Sequence, residues 1–162
     1  MQWLAQREQS RAELRRKLLP HAMAEAEGEA GPDAPGLAPG ARVDTLLDWL
    51  EAHQYLSQQR FVEARVHARV ARFGNLRIRQ ELKQHQVALP PDAAQALAET
   101  ELTRARTVRE RKFDGPPSSA AERARQARFL ARRGFSPDVI RRVLRAADHS
   151  TDDSDGADPV AN

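Results

Sequence analysis

The sequence contains no cysteine. Disulfides, thiolate metal ligands and a cysteine nucleophile are therefore excluded, and a reducing cytoplasm fits. Aromatics are scarce as well: two Trp, one Tyr and five Phe make up 5% of 162 residues. That is too little for a large β core, and it suits small helical units packed with Leu, Ala and Val. No apolar run approaches the roughly 20 residues that a membrane span needs. The opening stretch MQWLAQREQSR lacks the apolar segment of a signal peptide. We expect no membrane partner.

Positive charge is missing from the last part of the chain. All 26 Lys and Arg lie at or before Arg145, while five of the 23 acids (Asp148, Asp152, Asp153, Asp155 and Asp158) follow Ala147, which leaves the first 147 residues a formal charge of +8. A basic body with an acidic tail implies an acidic partner, either nucleic acid or an acidic protein surface.

Catalytic constellations are also lacking. The five His (His21, His53, His67, His85 and His149) are scattered, and none stands four residues from another. There is no H-E-x-x-H, no glycine-rich phosphate loop and no G-x-S-x-G elbow. We expect a protein that is not an enzyme and holds no cofactor or metal.

What the sequence does contain is a repeat. WLAQREQSRAELRRKL (residues 3–18) returns without a gap as FLARRGFSPDVIRRVL (residues 129–144). Leu4, Ala5, Arg7, Ser10, Arg15, Arg16 and Leu18 recur as Leu130, Ala131, Arg133, Ser136, Arg141, Arg142 and Leu144. Each copy reads as helix, tight corner, helix. A weaker third copy, with Gly74-Asn75 at its corner, places Ile78 and Leu82 where Leu14 and Leu18 stand. Repetition on this scale points to a helical array.

Local signals mark the helices. Ser10 and Glu13 form a capping box. Asp44 is expected to cap a helix carrying Leu46, Leu47, Trp49 and Leu50, and Ser57 one that runs to Phe73 and stops at Gly74. Asn75 opens a short helix. Pro90-Pro91-Asp92 begins an Ala-rich stretch that is expected to break near Glu99. Ser118 or Ser119 starts a helix ending at Gly134, and Ser136-Pro137-Asp138 starts the last one. We expect eight or nine short helices and no sheet. The expected divisions are a first helical repeat at residues 1–56, with a disordered Pro/Gly/Ala linker at about 21–41; a second at 57–98; a third at 99–147; and a disordered acidic tail at 148–162.

The cations form stripes. On the Gln58–Phe73 helix, Val62, Val66, Val70 and Phe73 form one apolar stripe, and Phe61, Ala64, Ala68 and Ala71 a second on the far side. Such a helix is expected to be sandwiched. Between the stripes lie Arg65, Arg69 and Arg72 with no acid among them. Like charges at that spacing cost roughly 0.2–0.5 kcal/mol per pair. Arg79 and Lys83 repeat the pattern on the next helix. Arg125, Arg128 and Arg132 share a later face, and Arg141 and Arg145 follow. These ten side chains are the candidates for anion binding.

The central stretch YLSQQRFVEARVHARVARFGNLRIRQELKQHQVALPPDAAQAL (residues 55–97) resembles the signature of the RecX regulatory family. S-R-A-E-L-R-R-K-L at Ser10–Leu18 and F-L-A-R-R-G-F-S-P-D-V-I at Phe129–Ile140 resemble it too. The resemblance implies an all-α fold of tandem three-helix repeats in an elongated, curved array. It also implies a negative regulator of the RecA recombinase, which we expect to be cytoplasmic and monomeric. Such a protein binds RecA and its nucleoprotein filament. It inhibits filament extension, ATPase, strand exchange and coprotease activity, and contacts single- or double-stranded DNA weakly without regard to sequence. A second reading treats FLARRGFSPDVIRRVLRAA as a helix-turn-helix DNA-binding regulator, with Arg141, Arg142 and Arg145 on the second helix.

Overall fold

A computed structural model of the chain describes residues 7–29 and 37–152. They form seven α-helices, and no strand occurs among them: α1 (Arg11–Glu29), α2 (Pro39–Ala52), α3 (Gln58–Val70), α4 (Asn75–Gln84), α5 (Pro91–Glu110), α6 (Ala120–Arg132) and α7 (Pro137–Asp152). Residues 3–6 of the first repeat copy lie outside the described residues, as do residues 30–36 of the expected linker and 153–162 of the tail.

The helix starts follow local chemistry. Ser10 Oγ accepts the Glu13 amide at 3.1 Å, and Glu13 Oε2 accepts the Ser10 amide at 3.2 Å, so the capping box is closed in both directions. Ser57, Ser119 and Ser136 accept the amides of Arg60, Glu122 and Val139 in the same way. Gly134 ends the corner after α6 with φ +80°, a conformation that costs an L side chain about 1–2 kcal/mol.

The helix boundaries differ from expectation at four places. Helix α1 continues through Pro20 to Glu29, and α2 starts at Pro39, so helix occupies both flanks of the segment read as a disordered linker. Burial of Ala22 with Leu14, Val43, Leu47, Leu50 and Leu56 holds α1 in place beyond the proline. Asp44 lies inside α2 rather than capping it. Its carboxylate accepts from Arg15 Nε at 2.8 Å and Nη2 at 3.2 Å, a partner 29 residues away. Helix α5 does not break near Glu99; its 20 residues are continuous. Helix α7 carries on to Asp152, into the segment expected to be a disordered tail.

The chain divides into two compact units whose boundaries fall inside α3 and α4: Met1–Arg65 with Leu82–Ala88, and Val66–Glu81 with Leu89–Asn162. Unit 1 is centred on the α1–α2 pair and the cluster just described. The core of unit 2 comprises Ala105, Val108, Leu130, Phe135, Val139, Ile140, Val143 and Leu144. The small apolar positions of α3 are not part of a second buried stripe. Ala64, Ala68 and Ala71 are exposed, whereas Phe61 and Val62 are buried and Val66, Val70 and Phe73 half-buried. Three methyl groups offer too little area to require burial.

Candidate functional site

In unit 1 the charges are largely paired with one another. Arg7 holds Glu13 at 3.1 Å, Arg11 reaches Asp48 at 2.7 Å and Glu51 at 2.8 Å, Arg15 holds Asp44, and Arg60 holds Glu8 at 2.8 Å. His85 lies 3.4 Å from Glu13 and edge-on to the buried Phe61. Burial is the main influence lowering the His85 pKa; Arg65, Arg7 and Arg16 act the same way, against Glu13. Burial pushes Glu13 up, but the Arg7 hydrogen bond, the Ser10 amide and the charges of Arg7 and His85 outweigh it and hold Glu13 below its ordinary value. A cavity of about 290 Å³ opens beside this pair, lined among others by Arg11, Arg15, Asp44, Glu51 and His85. Its wall is built from these mutually neutralised groups. Among the described residues, no group of three or more His, Asp or Glu is placed to hold a metal ion, and no helix is long and apolar enough to cross a membrane.

The predicted cations are distributed over both units. In unit 1, Arg65 is half-buried with its guanidinium 5.2 Å from the Phe61 ring, and Lys83 is exposed on α4. In unit 2, Arg69 is half-buried and pairs with Glu81 at 2.8 Å, so an acid from α4 neutralises a position with no acid near it in sequence. Arg72, in the turn after α3, and Arg79 on α4 are exposed. Arg125, Arg128 and Arg132 on α6 and Arg145 on α7 are exposed as well; Arg125 lies 5.7 Å from the Phe113 ring. Arg141 pairs with Asp138 one turn earlier at 3.0 Å. Of the candidates, Arg69 and Arg72 are brought together at the ring of Phe73.

Two further arginines join them there, and sequence reasoning passed over both. Arg77 and Arg133 stand 5.5 and 5.7 Å from the same ring. Arg133 carried a signal, because it recurs with Arg7 in the repeat. Arg77 precedes Ile78 at a corner and had none. The corner that gathers these side chains is fixed by backbone. The Gly74 amide donates to the Arg133 carbonyl at 2.9 Å and the Leu76 amide to the Gly134 carbonyl at 3.0 Å. A Cβ at Gly74 would stand 2.3 Å from the Gly134 oxygen.

Beneath the corner lie two charged residues that the sequence did not single out, Glu101, which is buried, and Arg104, which is half-buried. Glu101 on α5 accepts the Asn75 amide at 2.9 Å, at the start of α4, and Ser136 Oγ donates to it at 3.4 Å, at the start of α7. One carboxylate thus faces two positive helix ends. One turn on, Arg104 donates to the carbonyls of Val70 (3.3 Å), Phe73 (2.8 Å) and Leu97 (3.0 Å) and to the side chain of Asn75. Burial lowers the Arg104 pKa and Glu101 opposes that shift. The pair caps helix ends, which places the exposed cations above it.

Comparison with known proteins follows the same segments. The model of the second three-helix domain of RecX matches residues 57–97, and that of the third matches residues 99–144. The chain is 46% identical over 156 residues to regulatory protein RecX of Ralstonia nicotianae, covering 94% of this chain and 88% of the relative. It is 49% identical over 154 residues to regulatory protein RecX of Leptothrix cholodnii, with 94% and 88% covered. For regulatory protein RecX of Chromobacterium violaceum the identity is 36% over 141 residues, with 87% and 83% covered.

Proposed function

This chain belongs to the RecX family of regulatory proteins, and from that premise we propose that it is a non-enzymatic, cytoplasmic, monomeric inhibitor of the RecA recombinase. It binds RecA and its nucleoprotein filament, blocks filament extension and thereby lowers ATPase, strand-exchange and coprotease activity. Direct contact with single- or double-stranded DNA is weak and independent of sequence.

The observation that carries this reading is the recurrence of exposed cations on successive elements of the RecX-matched segment. Arg72, Arg79, Arg128 and Arg132 are all exposed within residues 57–144. A filament of protein on nucleic acid is a long polyanion, and a surface with cations on several helices can follow it.

The test is the DNA-dependent ATPase of RecA on single-stranded DNA, titrated with this protein. The rate should fall with dose, and Arg72→Glu/Arg79→Glu should inhibit less at equal concentration. An ATPase unchanged at saturating protein would overturn the reading. Tight, sequence-selective binding to a duplex at physiological salt would instead favour a helix-turn-helix regulator.

A further inference from the structure

Four guanidinium groups in unit 2 converge on one phenyl ring. The Cζ atoms of Arg69, Arg72, Arg77 and Arg133 lie 6.0, 5.8, 5.5 and 5.7 Å from the centroid of Phe73. Each contact with the ring is favourable by itself. Four like charges gathered around one ring repel one another. Among the described ion pairs, one acid opposes them: Glu81, 2.8 Å from Arg69 and 3.9 Å from Arg77. Four positive charges therefore face one negative charge.

The backbone beneath the cluster is tied in place. Arg133 Nη1 donates to the Arg72 carbonyl at 3.3 Å, and the Gly74 and Leu76 amides tie the two corners together. A Cβ at Gly134 would meet the Arg77 Cβ at 2.5 Å. The cations cannot relieve their repulsion by moving the backbone. Arginine held against an aromatic ring still offers N–H edges, and its planar fork matches phosphate.

We propose that Arg72, Arg77 and Arg133, set around Phe73, form a binding site for the phosphodiester backbone of a nucleic-acid strand, with Arg69 already engaged by Glu81. The proposal rests on the reading of this chain as acting on a nucleoprotein filament and names the contact it makes there. A polynucleotide fits better than an acidic protein patch because the cations continue. Helix α6 leads back from Arg133 through Arg132, Arg128 and Arg125, all exposed. At 1.5 Å per residue these span about 10 Å. Phosphates repeating along a strand meet several of these charges at once, whereas a single carboxylate meets one.

The experiment is titration of a fluorescent oligothymidylate with the full chain across a salt series. Arg77→Gln/Arg133→Gln should bind about tenfold more weakly at low salt. At about 0.7 per single-strand phosphate contact, its slope of log K against log salt should be shallower by about 1.4. Arg106→Gln/Arg111→Gln removes the same charge from exposed positions on and after α5, and should change affinity less than about twofold if local contacts dominate. Should loss of Arg133 disturb the fold by circular dichroism, Arg72→Gln/Arg77→Gln, both exposed, reads the same quantity. Unchanged affinity and slope in a folded variant would overturn the site. Loss of RecA inhibition with oligonucleotide binding intact would also overturn it, assigning the cluster to an acidic protein surface while leaving the regulatory reading in place. A wild-type chain that binds oligonucleotide through these arginines yet leaves RecA unaffected would support the site and sink the regulatory reading.

Discussion

The two copies of the repeat share a cap serine and differ in the charges around it. Ser10 and Ser136 occupy equivalent positions, and each caps the helix that follows. Three residues on, the first copy has Glu13 and the second Val139. Glu13 closes the capping box and pairs with Arg7. Val139 is buried in the apolar core, so Arg133, the counterpart of Arg7, has no such acid and turns to the aromatic rings of Phe129 and Phe73. In the second copy the acid comes from another helix, as Glu101 beneath Ser136. The cap serine suffices to start the helix. Whether the preceding arginine is neutralised or left to attract an anion depends on one further position.

The largest effect separating the corners is expected at Glu101. Glu101→Leu leaves the Asn75 amide and Ser136 Oγ without their acceptor and the half-buried Arg104 without a nearby acid. Leaving buried hydrogen-bond donors without their acceptor costs about 1–3 kcal/mol each. Urea unfolding should show that loss, and hydrogen exchange should place it at the starts of α4 and α7 while α1–α2 stays protected. Uniform protection in the variant would show that Glu101 is not the acid that the second corner depends on.

Next comes the turn itself. Gly134 has φ +80°, while Glu8 at the equivalent place is not among the non-glycine residues with positive φ, which are Gln54 and Gln86. Gly134→Ala meets the conformational cost and the contact with Arg77, together about 2–4 kcal/mol. Glu8→Ala loses an ion pair to Arg60 at the protein surface, about 0.5 kcal/mol. Equal losses at the two sites would break the distinction between a corner made by backbone contact and one made by side-chain pairing.

What was legible in the sequence was local. Ser10, Ser57 and Ser136, and Ser119 as one of two candidates beside Ser118, were readable because a cap joins residues three apart, and the repeat was readable because both corners need one. Asp44 was misread because its partner, Arg15, is 29 residues away, and the start of α2 was set instead by Pro39 in its first turn. The continuity of α5 was hidden for a similar reason. Glu101 and Arg104, just beyond the expected break, are held by groups 26 to 35 residues away. The Arg stripe was visible as a stripe; the pairing of Arg69 with Glu81 and the arrival of Arg133 at Phe73 needed the fold.

A smaller effect distinguishes the corners by pH. Glu13 has a folded pKa below its ordinary 4.5. Its contribution is complete above the unfolded value and is lost as pH falls through the lowered folded one. His85 also has a lowered folded pKa, from an ordinary 6.5, so below that value the unfolded chain takes up a proton first. Both terms weaken unit 1 on acidification, in successive windows. Urea midpoints should therefore fall as pH drops below about 6.5, with His85→Gln flattening the first part of that fall and Glu13→Gln the part below about 4.5. A fall just below pH 6.5 that His85→Gln leaves unchanged would remove the histidine from the first corner's account.

The smallest expected effect is at Arg141, and it tests the comparison most finely. Its repeat partner is Arg15. Arg15 reaches across from α1 to Asp44 of α2 with two hydrogen bonds, joining helices whose residues are far apart in sequence. Arg141 finds Asp138 on its own helix, at a position where both side chains are two-thirds exposed. A pair within one helix stabilises by a few tenths of a kcal/mol and is screened by salt. Arg141→Gln should thus change stability by less than about 0.5 kcal/mol. Arg15→Gln should lower the unfolding midpoint by more, because it loosens the contact between two helices rather than one turn of a single helix. If the two substitutions cost the same, the tertiary pairing that marks the first corner contributes nothing beyond what a solvated arginine provides, and the contrast between the copies narrows to Glu13 against Val139.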